Sequence, residues 1–83
     1  MKTLYVYTRS GCGGCVQIKD YLNQLNIDFI EINVDHNRLA LEKIQRDGHR
    51  FLPQVYANDK LFMPGGYKTI KTMRRHEILD RLK

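Results

Sequence analysis

Cys12 and Cys15 are the only cysteines of this 83-residue chain, and Gly13 and Gly14 alone separate them. Two thiols at this spacing, after an apparent strand and at the start of a helical pattern, are typical of a site that forms and breaks a disulfide. The alternative is half of a zinc site, but structural zinc needs four protein ligands and no second cysteine pair exists. The three histidines are scattered along the sequence. We therefore interpret the pair as a redox site and expect no metal.

The two cysteines are unequal in their positions along the predicted helix. Cys12 lies where this helix should start, and Cys15 lies about one turn further in. Unpaired backbone N–H groups at a helix start favour the thiolate, which is the reactive form of a cysteine. Arg9, three residues before Cys12, adds a nearby positive charge. We expect Cys12 to attack a substrate and Cys15 to resolve the intermediate.

Length and composition restrict the class of protein. A chain of 83 residues is sufficient for one domain, which we place at residues 1–83, and 42% apolar with 28% charged residues suits a globular protein. No apolar run is long enough to span a membrane, and Met1 to Thr3 leads directly into a strand without a signal-peptide pattern. We expect a cytoplasmic monomer, in whose reducing surroundings a disulfide would be transient and catalytic.

The formal net charge is +5. Lys68, Lys71 and Arg75 would share one face of a continuous helix, because they are spaced at i, i+3 and i+7. Such a stripe is most often a solvated face, and the functional alternative is a docking patch for an anionic partner. Aromatic residues do not alternate with these cations, so we expect no nucleic-acid binding.

Apolar spacing and turn residues predict seven elements in the order βαβ-α-ββα. They are strand 3–7, helix 13–26, strand 29–34, a second helix that ends at Gly48, strands 54–57 and 60–63, and helix 68–82. Asp35 or Asn37 can cap the second helix, with Leu41 and Ile44 facing inward. The first two strands should be parallel and the last two an antiparallel hairpin. This order predicts one mixed four-stranded sheet flanked by three helices.

Together, these features give the chain a resemblance to the glutaredoxins. The similarity covers essentially the whole length and is carried by Cys12-Gly13-Gly14-Cys15 at a helix start, by 52–56 (Leu-Pro-Gln-Val-Tyr) and by 65–67 (Gly-Gly-Tyr). Phage-type glutaredoxins and the glutaredoxin-like hydrogen donors of ribonucleotide reductase look especially similar. The resemblance implies a thioredoxin-like α/β fold. It also implies a thiol–disulfide oxidoreductase that reduces protein disulfides and glutathione mixed disulfides.

The resemblance also assigns site residues. Cys12 matches the nucleophile, Cys15 the resolving thiol and Arg9 the basic residue that faces the glycyl carboxylate of glutathione. Pro53 matches a proline with a cis peptide bond, which exposes the backbone of Leu52 for strand-like pairing with a peptide or glutathione.

The γ-glutamyl end of glutathione has its own matching positions. Gly65 and Gly66 match the turn at which this end approaches the third helix, where the helix dipole would favour a carboxylate. Tyr7, Tyr67 and Lys68 complete the implied glutathione- and substrate-binding set.

Several positions depart from the family pattern. Most dithiol glutaredoxins carry proline and an aromatic residue between the cysteines, where this chain has two glycines. Tyr67 and Lys68 stand where a cysteine or serine and an aspartate are common. Ala40 falls where the second helix would present a glutamine or arginine to the ligand, and Arg38 and Lys43 are nearby substitutes. These changes affect glutathione affinity more than redox chemistry.

The implied partners are glutathione, as reductant and substrate, and disulfide-containing proteins such as ribonucleotide reductase. Two alternatives remain open within the family. Electrons could come from thioredoxin reductase instead of glutathione. The small Gly13-Gly14 loop could also suit an iron–sulfur carrier, in which Cys12 and glutathione bridge a [2Fe-2S] cluster between two protomers.

Overall fold

A computed structural model describes all residues from Met1 to Lys83. It contains four strands and four helices, with a short 3-10 turn at Val34–His36. In chain order, the elements are β1 Leu4–Thr8, α1 Gly13–Gln24, β2 Ile30–Asn33, α2 Arg38–Arg46, β3 Gln54–Ala57, β4 Lys60–Met63, α3 Tyr67–Ile70 and α4 Arg75–Arg81.

The strands form one mixed sheet in the order β2-β1-β3-β4. β1 runs parallel to β2 and antiparallel to β3, and β3 and β4 form an antiparallel hairpin. Asn58, at φ 53°, occupies the turn of this hairpin. The predicted fold class, the central place of β1 and both strand pairings are confirmed.

α1 is amphipathic and begins directly at the cysteine pair. Cys15, Ile18 and Leu22 are its buried residues, which explains the predicted spacing. Asn26, with φ 55°, follows the end of the helix in the left-handed conformation that often terminates helices. α1 is the longest helix at 12 residues, and no helix is long and apolar enough to cross a membrane.

The sheet separates two groups of buried side chains, because successive residues of a strand point to opposite faces. The large core lies between the sheet and helices α1, α3 and α4, and the small core lies between the sheet and α2. The large core comprises Leu4, Val6, Ile18, Leu22, Ile27, Val55, Ala57, Ile70, Met73, Ile78 and Leu82. The small core comprises Tyr7, Val34, Ala40, Ile44 and Tyr56.

α2 departs from the predicted orientation. Asn37 caps it by accepting the N–H of Ala40, at 3.0 Å. Ala40 and Ile44, four residues apart, form the buried face, whereas Leu41 is 38% exposed. The prediction that Leu41 faces inward is therefore wrong, because a residue next to Ala40 is rotated by about 100° around the helix.

The prediction of one continuous helix over residues 68–82 is wrong, because this region forms two separate helices, α3 and α4. Arg74 is extended between them, with φ −85° and ψ 163°, and its N–H donates to the Glu77 carboxylate at 2.9 Å. The hydroxyl of Tyr21 donates to the carbonyl of Met73 at 2.5 Å. The break rotates the second segment, so that Ile70 and Ile78 can both reach the large core.

The predicted basic stripe disappears with this break. Lys68 lies on α3, Lys71 at its end and Arg75 on α4, so the three residues do not share a helical face. Arg75 instead donates through Nε to the carbonyl of Leu25, at 2.8 Å. One cation of the supposed patch therefore connects α4 to the end of α1.

Candidate active site

Cys12 and Cys15 form a disulfide at the start of α1. Cys12 is the N-cap residue and is half-buried, whereas Cys15 is only 2% exposed. The N–H of Cys15 donates to the Sγ of Cys12 at 3.1 Å, as expected where a helix start leaves N–H groups without backbone partners. The two sulfurs thus differ in accessibility, and the more accessible one receives a hydrogen bond from the helix.

The electrostatic surroundings of Cys12 favour negative charge. The first turn of α1 carries no acidic residue that would oppose the helix dipole. Arg9 is exposed and lines, together with both cysteines, a groove of about 400 Å³ over the disulfide. A thiolate at Cys12 would therefore lie at the positive end of α1, within reach of solvent and near a cation.

The segment before β3 lies directly against the disulfide. The Leu52–Pro53 peptide bond is cis, and the carbonyl oxygen of Leu52 lies 3.5 Å from the Sγ of Cys12. Pro53 is buried against the cysteine loop, since a Cβ added to Gly14 would lie 3.3 Å from the Cδ of Pro53. Gly14 thus has a packing role that the sequence analysis did not identify.

Gly65 and Gly66 also have structural reasons to be glycine. Gly66 has φ 55° and ψ −130°, and a Cβ there would lie 2.5 Å from the carbonyl oxygen of Pro53. A Cβ on Gly65, at φ 94°, would overlap the hydroxyl of Thr69, which donates to the carbonyl of Pro64 at 2.6 Å. The Gly-Gly turn therefore sits against the proline that flanks the disulfide.

The region after Gly66 gives less support to an anion site than expected. α3 has only four residues, so the dipole that was expected to favour a carboxylate there is small. Lys68 is exposed and supplies a full positive charge instead. Tyr67 is half-buried, and its ring packs edge-on against that of Tyr21 with the centroids 6.4 Å apart.

Tyr7 and Ala40 both lie in the small core. Tyr7 is 6% exposed, its ring meets the Tyr56 ring edge-on at 5.1 Å, and burial raises the pKa of its hydroxyl. Ala40 is buried too, so its predicted ligand-facing position is wrong. Leu41 and Gln45 of α2 instead line a cavity of about 350 Å³ beside Leu52.

A polar cluster next to the disulfide was missed from the sequence. The buried hydroxyl of Thr8 donates to the Glu31 carboxylate at 2.7 Å, and Lys19 pairs with the same oxygen at 3.0 Å. The Thr8 hydrogen bond, followed by the contacts with Lys19, lowers the pKa of Glu31 below its ordinary value. The alternation of β1 places Thr8 on the α1 face, and this signal could have identified it.

Asp35 organises the loop that precedes the cysteines. Its carboxylate accepts the backbone N–H of Ser10 at 2.9 Å. This hydrogen bond, and after it the Ser10 hydroxyl and the charges of Arg9 and His36, lower the pKa of Asp35. Asp35 was predicted as a possible helix cap, but its carboxylate instead binds the backbone of the loop that precedes Cys12.

The structure contains no candidate metal site, and two of its cavities lie away from the disulfide. No group of three or more His, Cys, Asp or Glu side chains is arranged to hold a metal ion. Cavities of about 430 and 440 Å³ lie near Lys2, at the opposite end of β1 from the disulfide.

Comparison with known proteins connects this geometry to a family. The glutaredoxin family model matches residues 4–62. A Mycobacterium tuberculosis protein named as a glutaredoxin is 37% identical over 54 residues, which are 63% of this chain and 64% of that protein. The match thus spans less than two thirds of the mycobacterial relative. The glutaredoxin-like protein NrdH of Lactococcus lactis is 33% identical over 57 residues, or 69% of this chain and 79% of the relative.

Solved structures give the same assignment. The glutaredoxin-like NrdH-redoxin of Escherichia coli, described as having a thioredoxin-like activity profile, is 33% identical with a TM-score of 0.66, covering 80% of this chain and 91% of that one. A buckwheat glutaredoxin in complex with glutathione is 25% identical with a TM-score of 0.71, covering 98% and 76%. Because the family model matches more than half of its length, the chain belongs to the glutaredoxin family.

Proposed function

We propose that the chain is a thiol–disulfide oxidoreductase that reduces protein disulfides and glutathione mixed disulfides. The main observation in support is that the two sulfurs at the start of α1 differ in solvent exposure and in hydrogen bonding. Cys12 is partly accessible and receives a hydrogen bond from the helix backbone, while Cys15 is buried behind it. This arrangement suits one thiol for attack and the other for intramolecular resolution.

The reaction begins with both cysteines reduced. The Cys12 thiolate attacks one sulfur of the substrate disulfide, the substrate S–S bond breaks, and the departing thiolate takes a proton from water. A mixed disulfide now joins Cys12 to the substrate. The backbone of Leu52, 3.5 Å from the Cys12 sulfur, can pair with an extended substrate chain in the manner of a neighbouring strand.

The second step releases the reduced substrate. Cys15 loses its proton and attacks the Cys12 sulfur, so that the Cys12–Cys15 bond forms as the mixed disulfide breaks. Two electrons pass from the protein thiols to the substrate, and the protein is left in the disulfide form seen in the structure. Glutathione or a reductase then restores the dithiol.

Substrate recognition in this proposal uses the positions around the disulfide. Arg9 and Lys68 are exposed cations that can attract substrate carboxylates. Gly65 and Gly66 allow a ligand to approach the backbone beside Pro53. Tyr7 acts from within the small core by supporting β1, and Tyr67 supports α3. We place the activity in the cytoplasm and include ribonucleotide reductase among the protein substrates.

Thioredoxin reductase is a second candidate electron donor. Lys68 places a cation where an aspartate would bind the ammonium of glutathione, which favours a donor other than glutathione. The thioredoxin-like activity profile described for the Escherichia coli relative supports the same alternative. The test supplies the protein with NADPH and a disulfide substrate, together with either glutathione and glutathione reductase or thioredoxin reductase. The faster consumption of NADPH identifies the donor, and no turnover in either system would contradict the proposed function.

Two serine variants test the assigned roles. Cys12→Ser should abolish all turnover, because the attacking sulfur is lost. Cys15→Ser should retain part of the exchange with a glutathione mixed disulfide, since glutathione can resolve the intermediate from solution. Turnover of both variants is measured on the same substrate, and an equal loss would contradict the roles.

A further inference from the structure

Two polar side chains of β3 are buried on the face of the sheet that α2 covers. Gln54 and Tyr56, two residues apart, are each 2% exposed. Buried polar groups are costly unless they are hydrogen-bonded. Both side chains find partners in the segment Asp47–Leu52, which connects α2 to the cis proline and which we call the substrate loop.

The hydrogen bond of Gln54 fixes the orientation of one peptide group in the substrate loop. Its Nε2 donates to the carbonyl oxygen of Phe51 at 2.9 Å. The Phe51–Leu52 peptide is trans, so its C=O and the N–H of Leu52 point in opposite directions. The carbonyl is held toward buried Gln54, and the N–H therefore points away from the protein interior. The Leu52 N–H makes no hydrogen bond within the chain.

We propose that Gln54 is a positioning residue that aims the Leu52 N–H at the substrate by holding the Phe51 carbonyl. This inference rests on the proposed function, in which a substrate chain pairs with Leu52. Without the Gln54 bond, the Phe51–Leu52 peptide can rotate, and the Leu52 N–H loses its orientation beside Cys12. The occupant of the site is an extended peptide with a carbonyl opposite this N–H.

Tyr56 anchors the other end of the substrate loop. Its hydroxyl donates to the Asp47 carboxylate at 2.6 Å and lies 2.8 Å from the Nε2 of His49. Because the single hydroxyl proton is directed to Asp47, the Nε2 of His49 is the donor in the second bond. Asp47 and His49 flank Gly48, which has φ 83°. The substrate loop is thus held at its beginning by Tyr56 and at its end by Gln54.

The test compares a substrate that has a peptide backbone with one that lacks it. The first is a linear hexapeptide whose central cysteine carries a thionitrobenzoate mixed disulfide. The second is 5,5′-dithiobis(2-nitrobenzoic acid), which offers no carbonyl for pairing. Pre-reduced protein is mixed with each, and release of the coloured thiolate gives a maximal rate and a half-saturating concentration. No reductase is required, so the electron source does not enter the result.

Gln54→Met removes the amide donor while nearly preserving side-chain length. We expect the half-saturating peptide concentration to rise about five-fold, the usual effect of one lost hydrogen bond, with an unchanged maximal rate. The rate with the small disulfide should not change. Gln54→Asn, which retains an amide but is too short to reach the Phe51 oxygen, should show the same selective loss and serves if the methionine variant does not fold.

Val55→Ala is the matched control, because Val55 is equally buried on β3 but faces the large core. It should lower stability without changing the preference between the two substrates. Equal losses on both substrates in the Gln54 variants, or no loss on either, would overturn the positioning role. Wild-type protein that reduces neither substrate would instead overturn the proposed function.

Discussion

The two faces of the sheet differ in the kind of side chain that they bury. The large core consists of eleven apolar residues contributed by strands, by helices α1, α3 and α4, and by the loop after α1. The small core has five residues, two of which are tyrosines, and Gln54 is buried on the same face. On the face that α2 covers, buried polar side chains form hydrogen bonds to the substrate loop. On the opposite face, the buried side chains make apolar contacts.

This difference separates stability from positioning. Apolar contacts have no preferred direction and stabilise the fold in proportion to the area they bury. Hydrogen bonds are directional and can fix the orientation of one peptide group. Variants of the large core should therefore change stability alone, whereas variants of the α2 face should change how a peptide substrate binds.

The largest expected effect on stability is in the large core. Ile18→Ala should lower the free energy of unfolding by about 3 kcal/mol, because Ile18 is fully buried and its truncation leaves a cavity. Urea denaturation measures the loss. The ratio of peptide to small-disulfide reduction should stay constant in the folded variant, and a changed ratio would break the proposed division between the faces.

Gly66→Ala should combine both kinds of effect. Its backbone conformation and the approach of the Pro53 oxygen leave no room for a Cβ, so we expect a loss of about 2 kcal/mol and weaker peptide binding. Gly48→Ala is the control, since Gly48 also has positive φ but no atom lies within 4 Å of the added Cβ. Equal losses of stability in the two variants would show that the contact with Pro53 is unimportant.

Tyr56→Phe should have a smaller effect on stability and a selective effect on function. It removes the hydroxyl that binds Asp47, at a cost of about 1 kcal/mol, and frees the start of the substrate loop. The half-saturating peptide concentration should rise while reduction of the small disulfide stays unchanged. Tyr5→Phe, another tyrosine packed against the small core, is the control, and an identical response of both variants would argue against the anchor.

The smallest effect concerns Thr8, and pH reveals it. The pKa of Glu31 is lowered in the folded protein, chiefly by the Thr8 hydroxyl. The ionised Glu31 carboxylate therefore stabilises the fold at pH values above its ordinary pKa of 4.5, and this stabilisation is lost as the pH falls through the lowered pKa. Thr8→Val should cost about 0.5 kcal/mol at neutral pH, since solvent weakens the interaction. Melting temperatures of both proteins should converge in acid, and a constant difference would contradict this assignment.

The sequence predicted the strands well, because strand patterns are local. Alternation in β2 and the apolar run of β1 identified both elements, and Asn58-Asp59 identified the hairpin. The break between α3 and α4 was not predictable from spacing. At this break the Met73 carbonyl accepts a hydrogen bond from Tyr21, which is 52 residues away in the sequence. Distance along the sequence also explains why the Cys12–Cys15 pair was predicted and the Thr8–Glu31 contact was not. The cysteines are 3 residues apart, whereas Thr8 and Glu31 are 23 residues apart.

Gln54 shows a further limit of sequence reasoning. Its place on a strand was predicted, but an isolated glutamine in a strand gives no sign that it is buried or which group it binds. Only the fold shows that the Phe51 carbonyl turns back toward it, at 2.9 Å. Ala40 shows the converse, because the family pattern suggested a ligand contact at a position that α2 buries.

The reactivity of the two sulfurs tests the assigned roles of Cys12 and Cys15 most directly. Reduced protein is treated with iodoacetamide at a series of pH values, and mass spectrometry of the digested protein follows each cysteine separately. We expect Cys12 to be alkylated first, with a pH midpoint below the value of about 8.5 for a free cysteine, and Cys15 to react much more slowly. Equal rates at both sulfurs, or a midpoint for Cys12 at or above that of a free cysteine, would contradict these roles.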